Sequence, residues 1–131
     1  MRSAGDAFSR REGTGGRVDG FKRFCEENEI EYEVIYSLSN RKVKKGEAYF
    51  VMSDRNLVRM VKKAAEAKLE LGEDLGLVSF NDTVLKEVVA GGITTISTDF
   101  KLMGETLAEL VERKKSGKLR NPSALIRRKS L

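Results

Sequence analysis

Residues 75–99 read LGLVSFNDTVLKEVVAGGITTISTD, and this stretch decides the fold class. The runs 75–80 and 93–98 are rich in apolar and β-branched residues, as expected of strands buried in a sheet. Residues 84–90 predict a short helix between them. It stops at two glycines, where a left-handed backbone costs little. A strand, a helix and a second strand in this order indicate a parallel pair with its crossover helix.

The same alternation continues on both sides of this stretch. Further strands are predicted at 31–37, 48–52 and 124–127, and further helices from Gly15, after Ser53-Asp54 and after Asp99. A lysine-rich loop at 39–46 separates the first two of these strands. We therefore predict an α/β fold with a mostly parallel sheet and helices on both faces. Residues 1–14 are polar, lack periodicity and are interpreted as a flexible leader before a domain at 15–131.

The amino-acid composition excludes several classes of protein. The chain has 131 residues, 40% hydrophobic and 34% charged, which suits one globular domain. It has no membrane-spanning run and no secretory signal, so we expect a cytoplasmic protein. With no histidine and one cysteine, Cys25, the chain cannot use imidazole catalysis, form a disulfide within itself or hold a thiolate metal cluster. Cys25 lies on the apolar face of a predicted helix, where we expect a small buried side chain.

The net charge of +5 is unevenly distributed along the chain. Residues 113–131 contain eight lysines and arginines and no acid, so the remainder carries 5 − 8 = −3. A nucleic-acid-binding domain needs positive charge over its folded surface. We therefore interpret the basic segment as a solvated end. Since the chain contains no DNA-reading helix, we also expect no DNA binding by this chain alone.

Polar residues stand at the carboxyl ends of four predicted strands, and three of these sets come directly after apolar runs. They are Ser37, Ser53-Asp54, Asn81-Asp82 and Thr98-Asp99. Since ligands of parallel α/β sheets bind beyond the carboxyl ends of the strands, these residues are candidates for a pocket. The alternative is that Ser53, Asp82 and Asp99 only cap the helices that they precede.

Two other motifs are weaker candidates for a functional site. Residues 13–17 (GTGGR) resemble an anion-binding loop at a helix start, but they match no nucleotide-binding pattern and follow no predicted strand. Asp54 and Asp82 could hold Mg²⁺ or accept a phosphoryl group, but no lysine stands in an evident supporting position after a strand. With no nucleophile–base arrangement, we predict no catalytic residues, no metal, no cofactor and no enzymatic activity.

Several motifs, taken in order, resemble the effector-binding half of the lactose/purine repressor family. The chain is most similar to the carboxyl-terminal lobe of that periplasmic-binding-protein-like sensor, in regulators that carry a winged-helix DNA reader. The motifs are RVDGF at 17–21, FVMSD at 50–54, ED at 73–74, SFND at 79–82, ITTI at 93–96, DF at 99–100, MG at 103–104 and LIRRK at 125–129. The resemblance spans residues 15–131, and 73–104 is its specific part.

The resemblance implies five effector-binding residues. Arg17 would bond a hydroxyl or acidic group, Ser53 and Thr98 would line the pocket, and Phe100 would pack against the ligand. Asn81 stands where the family usually has an effector-binding aspartate, so one charge is lost. Asp54 is then expected to be a helix cap and Asp82 a turn residue.

The chain also departs from the family pattern. It holds essentially one of the two lobes, and it lacks the helix expected between the strands at 31–37 and 48–52. In the family the helix at 100–116 packs in the other lobe. We therefore expect its apolar stripe to meet another copy, or the chain to be a fragment.

These observations favour a ligand-sensing, dimerising part of a bacterial transcription regulator. Its effector would be a sugar or sugar derivative. Dimer contacts would come from the helix at 54–69 and from residues 84–92, as in the family. Two alternatives stay open, an α/β oligomerisation module without a ligand and a flavodoxin-like nucleotide-binding domain.

Overall fold

A six-stranded sheet with helices on both faces forms the protein in a computed structural model, which describes the backbone of residues 2–7 and the whole of residues 15–131. The sheet order is β2-β1-β3-β4-β5-β6, with β1 to β5 parallel and β6 antiparallel to β5. This confirms the predicted fold class. The strands are β1 (Arg2–Ala7), β2 (Tyr32–Ile35), β3 (Glu47–Val51), β4 (Gly76–Phe80), β5 (Thr94–Thr98) and β6 (Ser123–Ile126), and the helices are α1 (Gly15–Glu27), α2 (Asp54–Glu66), α3 (Val84–Val88) and α4 (Phe100–Glu112).

Strand β1 corrects the interpretation of the amino-terminal residues. The prediction of a flexible leader is wrong for Arg2–Ala7, which lies inside the sheet and pairs with both β2 and β3. Its sequence, RSAGDA, has little intrinsic strand preference, but hydrogen bonds to a neighbour on each side override local propensity. The remainder of the proposed leader, residues 8–14, lies outside the described residues.

The core lies between the sheet and α2. Tyr49 and Val51 on β3 are buried on the same side as Leu57 and Met60 of α2. Between them Phe50 points to the opposite face, where its ring lies 6.5 Å from that of Phe21 on α1. Since successive strand residues point to opposite faces, α1 and α2 cover the two sides of the sheet. Cys25 is buried under α1, as predicted.

Helix α4 contributes nothing to this core. It starts where predicted, because the Asp99 carboxylate accepts a hydrogen bond of 2.9 Å from the Leu102 N–H. None of its residues is buried. Most of its large apolar side chains are exposed, among them Phe100, Met103, Leu107 and Val111. None of the helices in the described part of the chain is long and apolar enough to cross a membrane.

Candidate functional site

Asn81 and Thr98 meet at the carboxyl edge of the sheet. The Thr98 N–H donates to Asn81 Oδ1 at 3.5 Å, and the Asn81 N–H donates to the Ile96 carbonyl at 2.8 Å. Asn81 has a φ of +59°, in the left-handed region that asparagine tolerates better than most residues. The turn therefore holds the Asn81 side chain beside the end of β5. The structure brings these two predicted site residues together.

Arg17 approaches the same edge from α1. Its guanidinium carbon lies 4.2 Å from the centroid of the Phe80 ring, a cation–π contact worth about 0.5–1 kcal/mol at an exposed site. Because Phe80 directly precedes Asn81, this contact places Arg17 near the candidate site. Of the predicted anion loop, residues 13 and 14 lie outside the described residues, and Gly15 and Gly16 form the start of α1.

Ser53 and Phe100 have less direct connections to this pair. Ser53 Oγ accepts a hydrogen bond of 3.3 Å from the Asn56 N–H and caps α2, which confirms the capping interpretation for this residue. Phe100 is the first residue of α4, and its side chain is half exposed. Their role in binding an effector stays a prediction.

Lys86 lies at this edge, although the sequence did not predict it there. Its ammonium donates to the carbonyls of Phe80 at 2.9 Å and Asn81 at 2.7 Å, and pairs with Asp54 Oδ1 at 2.9 Å. The expectation that no lysine supports the strand ends is therefore wrong. The sequence carried no signal for it, because the apolar residues of α3 point outward while this lysine points inward.

Asp82 is held by Arg128 rather than acting as a helix cap. The guanidinium donates two hydrogen bonds to its carboxylate, and the Thr95 hydroxyl donates a third at 3.0 Å. This guanidinium and the hydroxyl keep the pKa of the Asp82 carboxyl below its usual range. Ser97 Oγ accepts from the Asp82 N–H at 2.9 Å, so the turn is fixed on both sides. The interpretation of residues 113–131 as a solvated end is wrong for Arg128.

An open apolar groove of about 660 Å³ adjoins the edge where Asn81 and Thr98 meet. A pocket of this kind, apolar with a few polar groups at its rim, is typical of small-molecule sites. Within the described residues, no group of three acidic, histidine or cysteine side chains is arranged to hold a metal ion. The groove is lined by Arg17, Phe21, Phe24, Phe50, Val78, Phe80, Ile96, Ser123, Ala124 and Leu125.

Comparison with known proteins agrees with this architecture. The family model described as "Periplasmic binding protein-like domain" matches residues 4–131, nearly the whole chain. The HTH-type transcriptional regulator GalR of Streptococcus thermophilus is 26% identical over 113 residues, covering 74% of this chain and 34% of that protein. The chain thus spans about a third of that relative's length.

Solved structures show the same fold. A lac repressor bound to ONPG in its repressed state superposes with a TM-score of 0.77 at 22% identity, covering 99% of this chain and 45% of the repressor chain. A lac repressor dimer bound to operator and the anti-inducer ONPF gives a TM-score of 0.74 at 22% identity, covering 98% and 52%. The described strands and helices therefore match about half of a repressor chain.

Proposed function

Because the chain belongs to the periplasmic binding protein-like domain family, we propose that it is the ligand-sensing and dimer-forming part of a bacterial transcription regulator. A small polar metabolite, a sugar or sugar derivative, binds at the carboxyl ends of β4 and β5. The observation that carries this proposal is the meeting of Asn81 and Thr98 at that edge, with Arg17 on the adjacent Phe80 ring.

The chemistry of the edge suits a neutral, hydroxyl-rich ligand. The Asn81 amide can donate and accept hydrogen bonds, while the Arg17 guanidinium only donates. The aromatic rings of Phe21 and Phe80 offer apolar surface beside these polar groups. Ligands named for the lac repressor structures, ONPG and ONPF, support the same class of effector.

Dimer formation is supported by the outer surfaces of α2 and α3. Val84, Leu85 and Val88 of α3 and Val58 of α2 are all more than half exposed. Apolar side chains at this density on neighbouring elements are typical of a surface that binds a partner. Effector binding would change the geometry of the dimer and so the spacing of DNA-reading domains, which lie outside this chain.

Calorimetric titration tests the sensor proposal. The wild-type chain is titrated with ONPG, galactose, other hexoses, pentoses and sugar phosphates. Asn81→Ala and Arg17→Ala should weaken the binding of the ligand that responds by about tenfold, the value of one charged or polar contact. Lys42→Ala, an exposed change in the loop at 39–46, serves as the control with unchanged affinity. Absence of heat with every sugar in the wild-type chain contradicts the proposal.

Sedimentation tests the dimer separately. Val84→Glu places a charge on the outer surface of α3 and should shift the chain from dimer to monomer, while Lys42→Glu, an exposed change in the loop at 39–46, should leave it dimeric. A dimer that binds no sugar would favour the alternative of an oligomerisation module. A wild-type chain that sediments as a monomer would contradict the dimer proposal.

A further inference from the structure

Lys86 is the buried cation of the candidate edge. Its side chain is 3% exposed, although it belongs to a short surface helix. An ammonium group has three N–H donors and no acceptor. The structure supplies one acceptor for each donor, all within 2.9 Å: the carbonyl oxygens of Phe80 and Asn81 and the carboxylate of Asp54.

This set of partners leaves Lys86 no donor for a ligand. A buried ammonium is stable only when its hydrogen bonds are made, so burial of Lys86 favours the positions of its three acceptors. They belong to different parts of the fold. Two are the last carbonyl of β4 and the one after it, and the third is the first residue of α2. Lys86 itself belongs to α3, so one side chain joins three elements.

We infer that Lys86 is a positioning residue that holds the Asn81 turn and links it to α2 and α3. This inference rests on the proposed function, in which Asn81 contacts the effector and α2 and α3 make dimer contacts. A ligand bound to Asn81 shifts the turn and with it a carbonyl that accepts a hydrogen bond from Lys86. The Lys86 ammonium moves with this carbonyl and shifts Asp54 at the start of α2. Lys86 thereby couples the effector site to the dimer surface.

Amide hydrogen exchange on the full chain tests this role without a ligand. Lys86→Met keeps the length of the side chain but removes its donors. The amides of Asn81 and Asp82 should exchange about tenfold faster relative to the Val78 amide within β4, because the turn opens locally. Leu75→Ala is the matched control, since it creates a cavity directly before the start of β4. It should accelerate the exchange of these amides and of Val78 by the same factor.

A second variant keeps the test decisive if Lys86→Met does not fold. Asp54→Asn removes the charge of an exposed carboxylate, 74% accessible, and we expect it to fold because the amide keeps an acceptor for Lys86. It should accelerate exchange of the Asn81 amide by a smaller factor than Lys86→Met does. It should also accelerate exchange of the Leu57 amide, whose N–H closes the first turn of α2. If both variants raise exchange uniformly, as Leu75→Ala does, the inference is overturned.

A binding measurement separates this inference from the proposed function. When the wild-type chain binds ONPG, Lys86→Met should weaken it by about tenfold through the disordered turn. Equal affinity in wild type and Lys86→Met overturns the inference and leaves the sensor proposal intact. When wild type binds no sugar, the sensor proposal fails, and the exchange pattern still decides whether Lys86 holds the turn.

Discussion

Arg128 binds the carboxylate of Asp82, 46 residues earlier in the sequence, through two hydrogen bonds, from Nη1 to Oδ1 at 2.7 Å and from Nη2 to Oδ2 at 2.8 Å. Arg128 also donates to the Ile93 carbonyl, and its own N–H donates to Thr94 Oγ1. The carboxyl-terminal segment is thus tied to β5 and to the turn that follows β4. The position of the Asn81 turn depends on residues at the far end of the chain.

Asp82→Asn should destabilise the fold by about 3 kcal/mol, because it leaves a largely buried guanidinium without its carboxylate. The free energy of unfolding in urea measures this loss. Glu109→Gln is the matched control, since it removes an ion pair with Arg113 in which both side chains are more than 60% exposed. That change should cost less than about 0.5 kcal/mol. Equal losses would show that the Asp82 pair is no more than a surface contact.

The same pair predicts how stability depends on acid. Because Arg128 holds the pKa of Asp82 below its unfolded value, the folded state binds fewer protons than the unfolded state. The contribution of Asp82 is therefore present above about pH 4 and is lost as the pH falls through the folded pKa. Urea unfolding between pH 6 and pH 2 should show wild type and Asp82→Asn converging in acid. A constant difference between them would contradict this assignment.

Tyr49 should remain protonated well into the alkaline range. Burial and a hydrogen bond to Glu47 raise its pKa to about 12. Absorbance at alkaline pH should show a late phenolate component, and Tyr49→Phe should remove it. Since the unfolded tyrosine ionises near pH 10, the stability that Tyr49 contributes is complete below about pH 10 and is lost as the pH rises towards 12. A phenolate signal complete by pH 11 would contradict the buried hydrogen bond.

The elements with strong local signals were predictable from the sequence. Strands β3 and β4 are largely apolar and β5 is rich in β-branched residues. Ser53 and Asp99 accept the capping hydrogen bonds that their positions predict. Strand β1 was not predictable, because it acquires its conformation from pairing on both sides rather than from its side chains.

The polar contacts of the site were predictable only in part. The ends of parallel strands meet at one edge, so the proximity of Asn81 and Thr98 followed from topology. The partners of Lys86 and Arg128 did not, because long-range ion pairs depend on distances that no sequence spacing encodes. Lys86 also contradicts hydrophobic patterning, since it is buried while Val84 and Leu85 beside it are exposed.

Replacement of Ser79 by alanine should not destabilise the fold. Ser79 is fully buried on β4, and its hydroxyl has no hydrogen-bond partner among the described residues. Ser79→Ala removes an unsatisfied polar atom and should leave stability unchanged or raise it by about 1 kcal/mol. Ser97→Ala is the matched control on β5, because Ser97 Oγ accepts from the Asp82 N–H and donates to the Thr98 carbonyl. It should cost about 1–2 kcal/mol in the same thermal unfolding measurement. A loss at Ser79 as large as that at Ser97 would indicate an additional partner for the hydroxyl.

The 13-residue helices α2 and α4 should respond differently to the same mutation. Leu57 on α2 is 5% exposed and belongs to the core, whereas Leu107 on α4 is 61% exposed. Leu57→Ala should cost about 2–5 kcal/mol, because it removes buried apolar surface and leaves a cavity. Leu107→Ala should change the free energy of unfolding by less than about 0.5 kcal/mol, as expected of a surface position on a helix that tolerates alanine. Urea unfolding at several protein concentrations measures both. A loss above 2 kcal/mol for Leu107→Ala that grows with protein concentration would show that the α4 stripe is buried against another chain in solution.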